Sequence, residues 1–386
     1  MPKRRRSLSL TDLPAGVLQE LVDYDPCAFA PLCRRLSDLA LRAHRTLIIS
    51  RGFRKGVRPE QLQRTLCVNL RVLDVSGWLQ WNDRMVKRLA QCVRIGQFRH
   101  LSCLLMRSCH HVSNASLLGL LSHLGSALRH LDLQDCDQLT ADCLPRGLSN
   151  VKSLLMGVKR NKGGISSPDL MAHLFSGGRA LMPKLEYLCL QHRGEVRTLS
   201  GIELLSETLT VLDLHGCNAI APEDYLRCSK LHRLEQLFVG SPLCQSVLCE
   251  ISRGCVRLKA LDISCCELSH EFVDLLCCNQ GSLERLKLTR CTSLTNEWLR
   301  RLLCSLPNLR LIDISHCWRL SDSFVDGMGR IASPRMFIVY IDKIFRRRCD
   351  YGCLQFDRKC SGGAVKLSKH QEHQLSPSFP SQYFYQ

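Results

Sequence analysis

The stretch LERLKLTRCTSLTNEWLRRLLCSLPNLRLIDISHCWRL, residues 283–320, states one pattern twice. Leu283, Leu286, Leu288, Cys291 and Leu294 return as Leu309, Ile312, Ile314, Cys317 and Leu320, at an offset of 26 residues. The L-x-L centre of the pattern makes a short strand with one buried face, because successive strand side chains alternate sides. A small, polarizable Cys fits the tight turn that follows. The segment between the two copies, TNEWLRRLLCSLPN, spaces its apolar residues as a helix does. One such unit cannot bury its own apolar face, so copies must stack.

The frame extends in both directions. Its strand anchors fall at Leu73, Leu104, Leu131, Leu154, Leu188, Leu212, Leu237, Leu261, Leu286 and Ile312. Successive spacings are 31, 27, 23, 34, 24, 25, 24, 25 and 26. The Cys position is filled at Cys109, Cys136, Cys217, Cys266, Cys291 and Cys317. The pattern L-x-x-L-x-L-x-x-C-x-x-L resembles the cysteine-containing leucine-rich repeat, whose period is roughly 20–29 residues. Two spacings are longer. The first holds a stretched helix with Trp78 and Trp81, and the second a loop in which Gly163-Gly164 and Gly177-Gly178 flank a short helix. The resemblance implies an α/β leucine-rich-repeat solenoid, a horseshoe, over residues 70–335.

Composition is consistent with that. Apolar residues make up 45% and charged residues 23% of the 386-residue chain, which reads as a folded protein. No apolar run approaches the length of a membrane-spanning helix, and the basic start MPKRRRSLSL has no apolar region behind it. Without a secretory leader the 24 Cys are expected to be reduced, and the repeat-position thiols buried. Cytoplasm and/or nucleus is the expected location, with Lys3-Arg4-Arg5-Arg6 as a candidate import signal.

The net charge of +18 invites a nucleic-acid reading, and its distribution argues against one. Residues 1–58 carry 12 Lys/Arg against 5 Asp/Glu, and residues 335–386 carry 9 against 4. The repeats between them carry 32 against 26, and aromatics for stacking on bases are only 6% of the chain.

Ahead of the repeats, residues 9–47 form a small helical module. Asp12 can cap a first turn, and Pro14 is tolerated there because its missing N–H has no intrahelical partner anyway. Val17, Leu18, Leu21 and Val22 then make one apolar stripe, Asp25-Pro26 breaks the helix, and Leu32, Cys33, Leu36, Leu39 and Ala40 make a second stripe. So few residues make a marginal core alone, so a partner that covers the rest of the apolar surface would stabilise them. Leu13-Pro14, Val17-Leu18, Asp25-Pro26 and Leu32-Cys33-Arg34-Arg35-Leu36 resemble the F-box pattern L-P-x-x-V-L … D-P … V-C-R-x-W. Leu36 stands where that family has Trp, and the stretch from Pro26 to Cys33 is shorter than usual. A helical cap that only shields the first repeat is the other reading of the same residues.

F-box followed by repeats resembles the F-box/leucine-rich-repeat proteins. That resemblance implies a substrate-recognition subunit of an SCF-type (cullin–RING) ubiquitin ligase, acting in proteasomal degradation, with the Skp adaptor and cullin scaffold as partners. Leu13, Pro14, Val17, Leu18, Leu21 and Leu32 would bury against the adaptor. Such a receptor is not an enzyme and needs no cofactor; the chain has neither G-x-S-x-G nor G-x-x-x-x-G-K. The alternative is a repeat scaffold with no link to a ligase. Residues 1–8 read as a basic tip, 48–69 as a linker with a first strand near Leu47-Ile48-Ile49, 336–361 as a C-terminal cap with a strand at 336–341, and 362–386 as an unstructured tail. Cys349, Cys353, Cys360, His370 and His373 cluster in sequence, but their spacing matches no strong zinc pattern.

Alternation places one residue per repeat on the face turned away from the core: Asp74, Leu105, Asp132, Leu155, Cys189, Asp213, Phe238, Asp262, Lys287 and Asp313. Of these, Asp132, Leu155, Asp213, Phe238, Asp262, Lys287 and Asp313 are the candidate substrate-binding residues. Leu155 and Phe238 are expected to be exposed anchors, and the Asp row is expected to face a basic element of the substrate. Lys287 should stand between Asp262 and Asp313 as an ion-pair ladder. Asp at this position is equally explained as a cap for neighbouring backbone. His192, His215 and His316 follow strand leucines and are read as surface histidines.

Overall fold

Every anchor becomes the second residue of a short parallel strand. The computed structural model describes residues 70–321, apart from positions 79, 97, 159–169 and 240, together with the backbone of strands at 46–48, 337–341 and 354–358. The chain divides into two units, Met1–Asn150 and Val151–Gln386. The F-box-like module, its adaptor-facing residues and the C-terminal Cys/His cluster lie outside the described residues.

In the first unit, β1 (Thr46–Ile48), β2 (Val72–Asp74), β3 (Cys103–Leu105) and β4 (His130–Asp132) pair in order, all parallel. Leu73, Leu104 and Leu131 align in one register and are fully buried. α1 (Asp83–Arg94) follows β2, and α2 (Asn114–Leu124) follows β3. Each starts where a polar side chain takes up orphan backbone N–H groups: Asn82 accepts from Arg84 and Met85, and Ser113 accepts from Ser116. The stretched first repeat differs from expectation in one respect. Trp78 and Trp81 precede the helix in its entry turn, buried, with ring centroids 5.7 Å apart.

In the second unit, β5 (Ser153–Leu155) leads to α3 (Leu170–Leu174), β6 (Tyr187–Cys189), β7 (Val211–Leu214) and β8 (Gln236–Val239). Then come α4 (Gln245–Gly254), β9 (Ala260–Ile263), α5 (His270–Asn279), β10 (Arg285–Lys287), α6 (Asn296–Ser305) and β11 (Leu311–Asp313). Leu154, Leu188, Leu212, Leu237, Leu261, Leu286 and Ile312 stand side by side across these strands. Between β6 and β8 the connections are 3-10 segments, Ile202–Leu205 and Pro222–Lys230. β12 (Phe337–Ile341) pairs with β11, so a strand lies where one was expected near 336–341. β13 (Leu354–Arg358), not foreseen from the sequence, adds one more parallel strand.

One strand per repeat, parallel and in register, with a helical or 3-10 segment between most successive strands, defines the α/β leucine-rich-repeat fold. The turn behind each strand explains the cysteine position. The residue before that position takes a left-handed backbone in Gly77, Ser108, Asp135, His192, Gly216, Cys265, Arg290 and His316. Such a conformation is costly for most non-glycine residues. It is held because the N–H there bonds to the next repeat: Ser108 to Gln134 O, His192 to His215 O, Cys265 to Thr289 O and Arg290 to Ser315 O. The following thiol then turns inward and donates to a carbonyl of the preceding repeat. Cys136 Sγ reaches Met106 O at 3.0 Å, Cys217 reaches Leu190 O at 2.9 Å, and Cys317 reaches Leu288 O at 3.1 Å.

Cys136, Cys217, Cys266, Cys291 and Cys317 are all at most 5% exposed. Burial pushes the Cys217 thiol up to about 12 and that of Cys266 up to about 11. These thiols are therefore expected to resist alkylation in the native protein until denaturant is added, while exposed Cys244, Cys278 and Cys304 label at once. Peptide mass analysis of the labelled chain reads both outcomes. Rapid native labelling of the five would contradict the packing.

Candidate binding surface

Five Asp residues occupy the non-core row, and all five serve the turn next to them. Oδ1 of Asp74, Asp132, Asp213, Asp262 and Asp313 accepts the backbone N–H two residues on, at 2.9–3.1 Å. Asp262 and Asp313 also accept the hydroxyls of Ser264 and Ser315, at 2.6 and 2.7 Å. The backbone-cap reading accounts for this residue type at this position.

Register places the remaining candidates, and burial corrects part of the expectation. Leu155, Cys189, Asp213, Phe238, Asp262, Lys287 and Asp313 follow one another across β5–β11. Asp132 belongs to the first unit. Leu155 is only 2% exposed and cannot be an exposed anchor. Cys189 beside it is fully buried as well. Asp213, Asp262 and Asp313 are 0%, 4% and 2% exposed, so the acids form a floor and not an open row. Strands pack about 4.8 Å apart, close enough for long neighbours to cover short side chains between them. Phe238 and Lys287 are the candidates on this face of the second unit that keep partial exposure.

Around them lies a cleft of about 240 Å³ lined by Gln191, Asp213, His215, Phe238, Asp262, Arg285 and Lys287, with Ala260 and Leu311 also in its wall. Gln191 Nε2 donates to Asp213 Oδ2 at 2.6 Å, and Lys287 Nζ donates to Asp262 Oδ2 at 2.8 Å. The Asp262 half of the expected ladder is thus formed. With Lys287 more than a third exposed, solvent screening limits it to about 1 kcal/mol or less. Burial pushes Asp213 up to about 6, against hydrogen bonds from His215 N–H and Gln191 that favour its ionised form. Burial pulls His215 below the ordinary histidine value, so its ring is neutral at pH 7. The His192 and His215 rings meet edge to face, 5.3 Å apart.

Gln191, Arg285, Ala260 and Leu311 escaped the sequence reading because it took one residue per strand. The alternation that selects Lys287 also turns Arg285 to the same side, so the period was the missed signal. Among the described residues no group of three or more His, Cys, Asp or Glu is arranged to hold a metal ion, and no helix is long and apolar enough to cross a membrane.

No protein-family model matches the chain, and no curated protein matches it. Among solved structures it is similar to an internalin from Listeria monocytogenes, with 15% identity, a TM-score of 0.49, and coverage of 92% of this chain and 100% of that one. It is also similar to the Rad7 and Elc1 complex of yeast, at 16% identity and a TM-score of 0.44, covering 90% and 83%. The leucine-rich repeat-containing protein LegL7 of Legionella pneumophila aligns at 14% identity and a TM-score of 0.35, covering 69% and 81%. All three scores lie below 0.5, and the fold assignment rests instead on strand register and burial. The class of protein so defined is a leucine-rich-repeat protein, a fold whose parallel strands present a ladder of side chains to partners.

Proposed function

We propose that this chain is the substrate-recognition subunit of an SCF-type (cullin–RING) ubiquitin ligase, working in the cytoplasm and/or nucleus. Residues 9–47 dock the Skp adaptor as an F-box, and the non-core face of the repeats binds the substrate. The observation that carries this reading is the order of Leu13-Pro14, Val17-Leu18, Asp25-Pro26 and Cys33-Arg34 ahead of cysteine-type leucine-rich repeats. Such a subunit needs no catalytic residue of its own. It holds a substrate beside a charged conjugating enzyme and raises the effective concentration of the reacting groups.

Co-expression of the chain with the Skp adaptor, followed by pull-down, tests the assignment. The parent is expected to retain the adaptor, and Leu13→Arg with Leu18→Arg is expected to lose it, because arginine cannot be buried in an apolar interface without a partner. Circular dichroism of the repeats controls for folding. A folded double variant that still retains the adaptor would overturn the F-box assignment. Failure of the parent itself to retain it would favour the scaffold reading, which the departure at Leu36 supports.

A further inference from the structure

The cleft on β7–β11 has a polarity opposite to the one its row of Asp residues implies. Asp213 and Asp262 are buried and their oxygens are already accepting: His215 N–H and Gln191 on the one, Ser264 and Lys287 on the other. A basic side chain from a partner would have to displace these bonds from carboxylates it can barely reach. The groups that do reach solvent are donors. Arg285 and Lys287 are two residues apart on β10, so both project to one side, about 6.6 Å apart along the strand. One bond to Asp262 leaves the Lys287 ammonium two further donors.

Apolar groups line the same cleft. Leu311 and the buried Ala260 flank Arg285 in register, and Phe238 stands beside Asp262, two strands from Lys287. At about 240 Å³ the cleft is smaller than the roughly 300–1,000 Å³ of sites for drug-sized ligands, and it suits one or two side chains of an extended segment. Burial already pulls the Arg285 pKa down, and an incoming carboxylate would offset that lost hydration.

We propose that this cleft takes an acidic peptide segment, with a carboxylate side chain on Arg285 and Lys287 and an apolar side chain of the same segment against Phe238. The proposal rests on the reading of this face as the substrate-binding surface, and it replaces a basic recognition element by an acidic one. Arg285 and Lys287 set the charge of the substrate, and Phe238 sets its apolar residue.

The probe is a random dodecapeptide phage library panned against the full-length chain. Selected peptides are then synthesised with a fluorophore and titrated by anisotropy. Selected sequences are expected to combine Asp or Glu with Leu, Phe or Trp, and to weaken with added salt. Arg285→Gln with Lys287→Gln, which keeps an amide donor for Asp262, should weaken binding roughly tenfold or more. Phe238→Ser should also weaken it, and Arg300→Gln on the outer surface should leave it unchanged. Panning against Arg285→Glu with Lys287→Glu should select Lys- or Arg-bearing peptides, and thermal melting verifies that each variant is folded. Enrichment of basic or uncharged peptides, acidic peptides that bind the double-Gln variant as well as the parent, or no enrichment at all would overturn the proposal. Adaptor pull-down on the same preparations separates the two readings. Adaptor retained without acidic peptides sinks only this proposal, and acidic peptides without adaptor sink only the ligase assignment.

Discussion

Replacing Asp213 by Asn is expected to remove about 3 kcal/mol of pH-dependent loss of stability between about pH 4 and pH 7. The folded carboxyl is pushed up to about 6 by burial, from an ordinary value near 3.8. In that window the native state holds a proton that the unfolded chain has released, so raising the pH favours unfolding. A shift of about two units corresponds to ~3 kcal/mol. The penalty is absent below about pH 4 and complete by about pH 7. His215 acts in the opposite sense: its pKa is lowered, so its contribution is present above about pH 6.5 and is lost as the pH falls through the folded value. The comparison that isolates Asp213 is therefore the difference between parent and Asp213→Asn, from urea midpoints taken across this range. Asn can still accept the His215 N–H, and the Gln191 amide can turn to meet its new donor. Parallel stability curves would show that the carboxyl is not desolvated as the structure has it.

Gly254→Ala is expected to cost about 3 kcal/mol, the upper end of what overpacking does in a close-packed site. Gly254 closes α4, and a Cβ there would run into the backbone of Ser229 in the 3-10 segment Pro222–Lys230. The obstacle is main chain, which cannot rotate aside as a flexible side chain does. Two elements from consecutive repeats approach each other at this point only because no side chain intervenes. Gly281→Ala is the control, since a Cβ at that position meets nothing within 4 Å. It should change stability by no more than about 0.5 kcal/mol. Equal denaturant midpoints for the two variants would show that α4 is free to shift away from the 3-10 segment.

The strand anchors were legible because they depend on period alone. From Leu73 to Ile312, the L-x-x-L-x-L frame names the second residue of every strand, including those in repeats without the cysteine. The cysteine position was legible for a related reason: it recurs five residues after the anchor in six of the repeats, although Trp78 and Arg193 fill it in two others. What period cannot supply is the environment on the other face. Leu155 and Phe238 look equivalent in sequence, yet one is buried and the other reaches the cleft. The difference depends on which side chains stand one strand away, some 24 to 34 residues distant in the chain.

The carboxylates make the same point about charge. Read one residue per repeat, Asp213, Asp262 and Asp313 promise an acidic surface. Their oxygens are instead taken by N–H groups two residues on and by side chains of adjacent repeats, and their burial leaves Phe238 and Lys287 as the partly exposed members of that row. The chain's own periodicity determines which residues share a face, because strand alternation is a local property of the backbone. Which of those residues can still bind anything is decided only when the strands stack, because solvent access and hydrogen-bond saturation are properties of neighbours far apart in sequence.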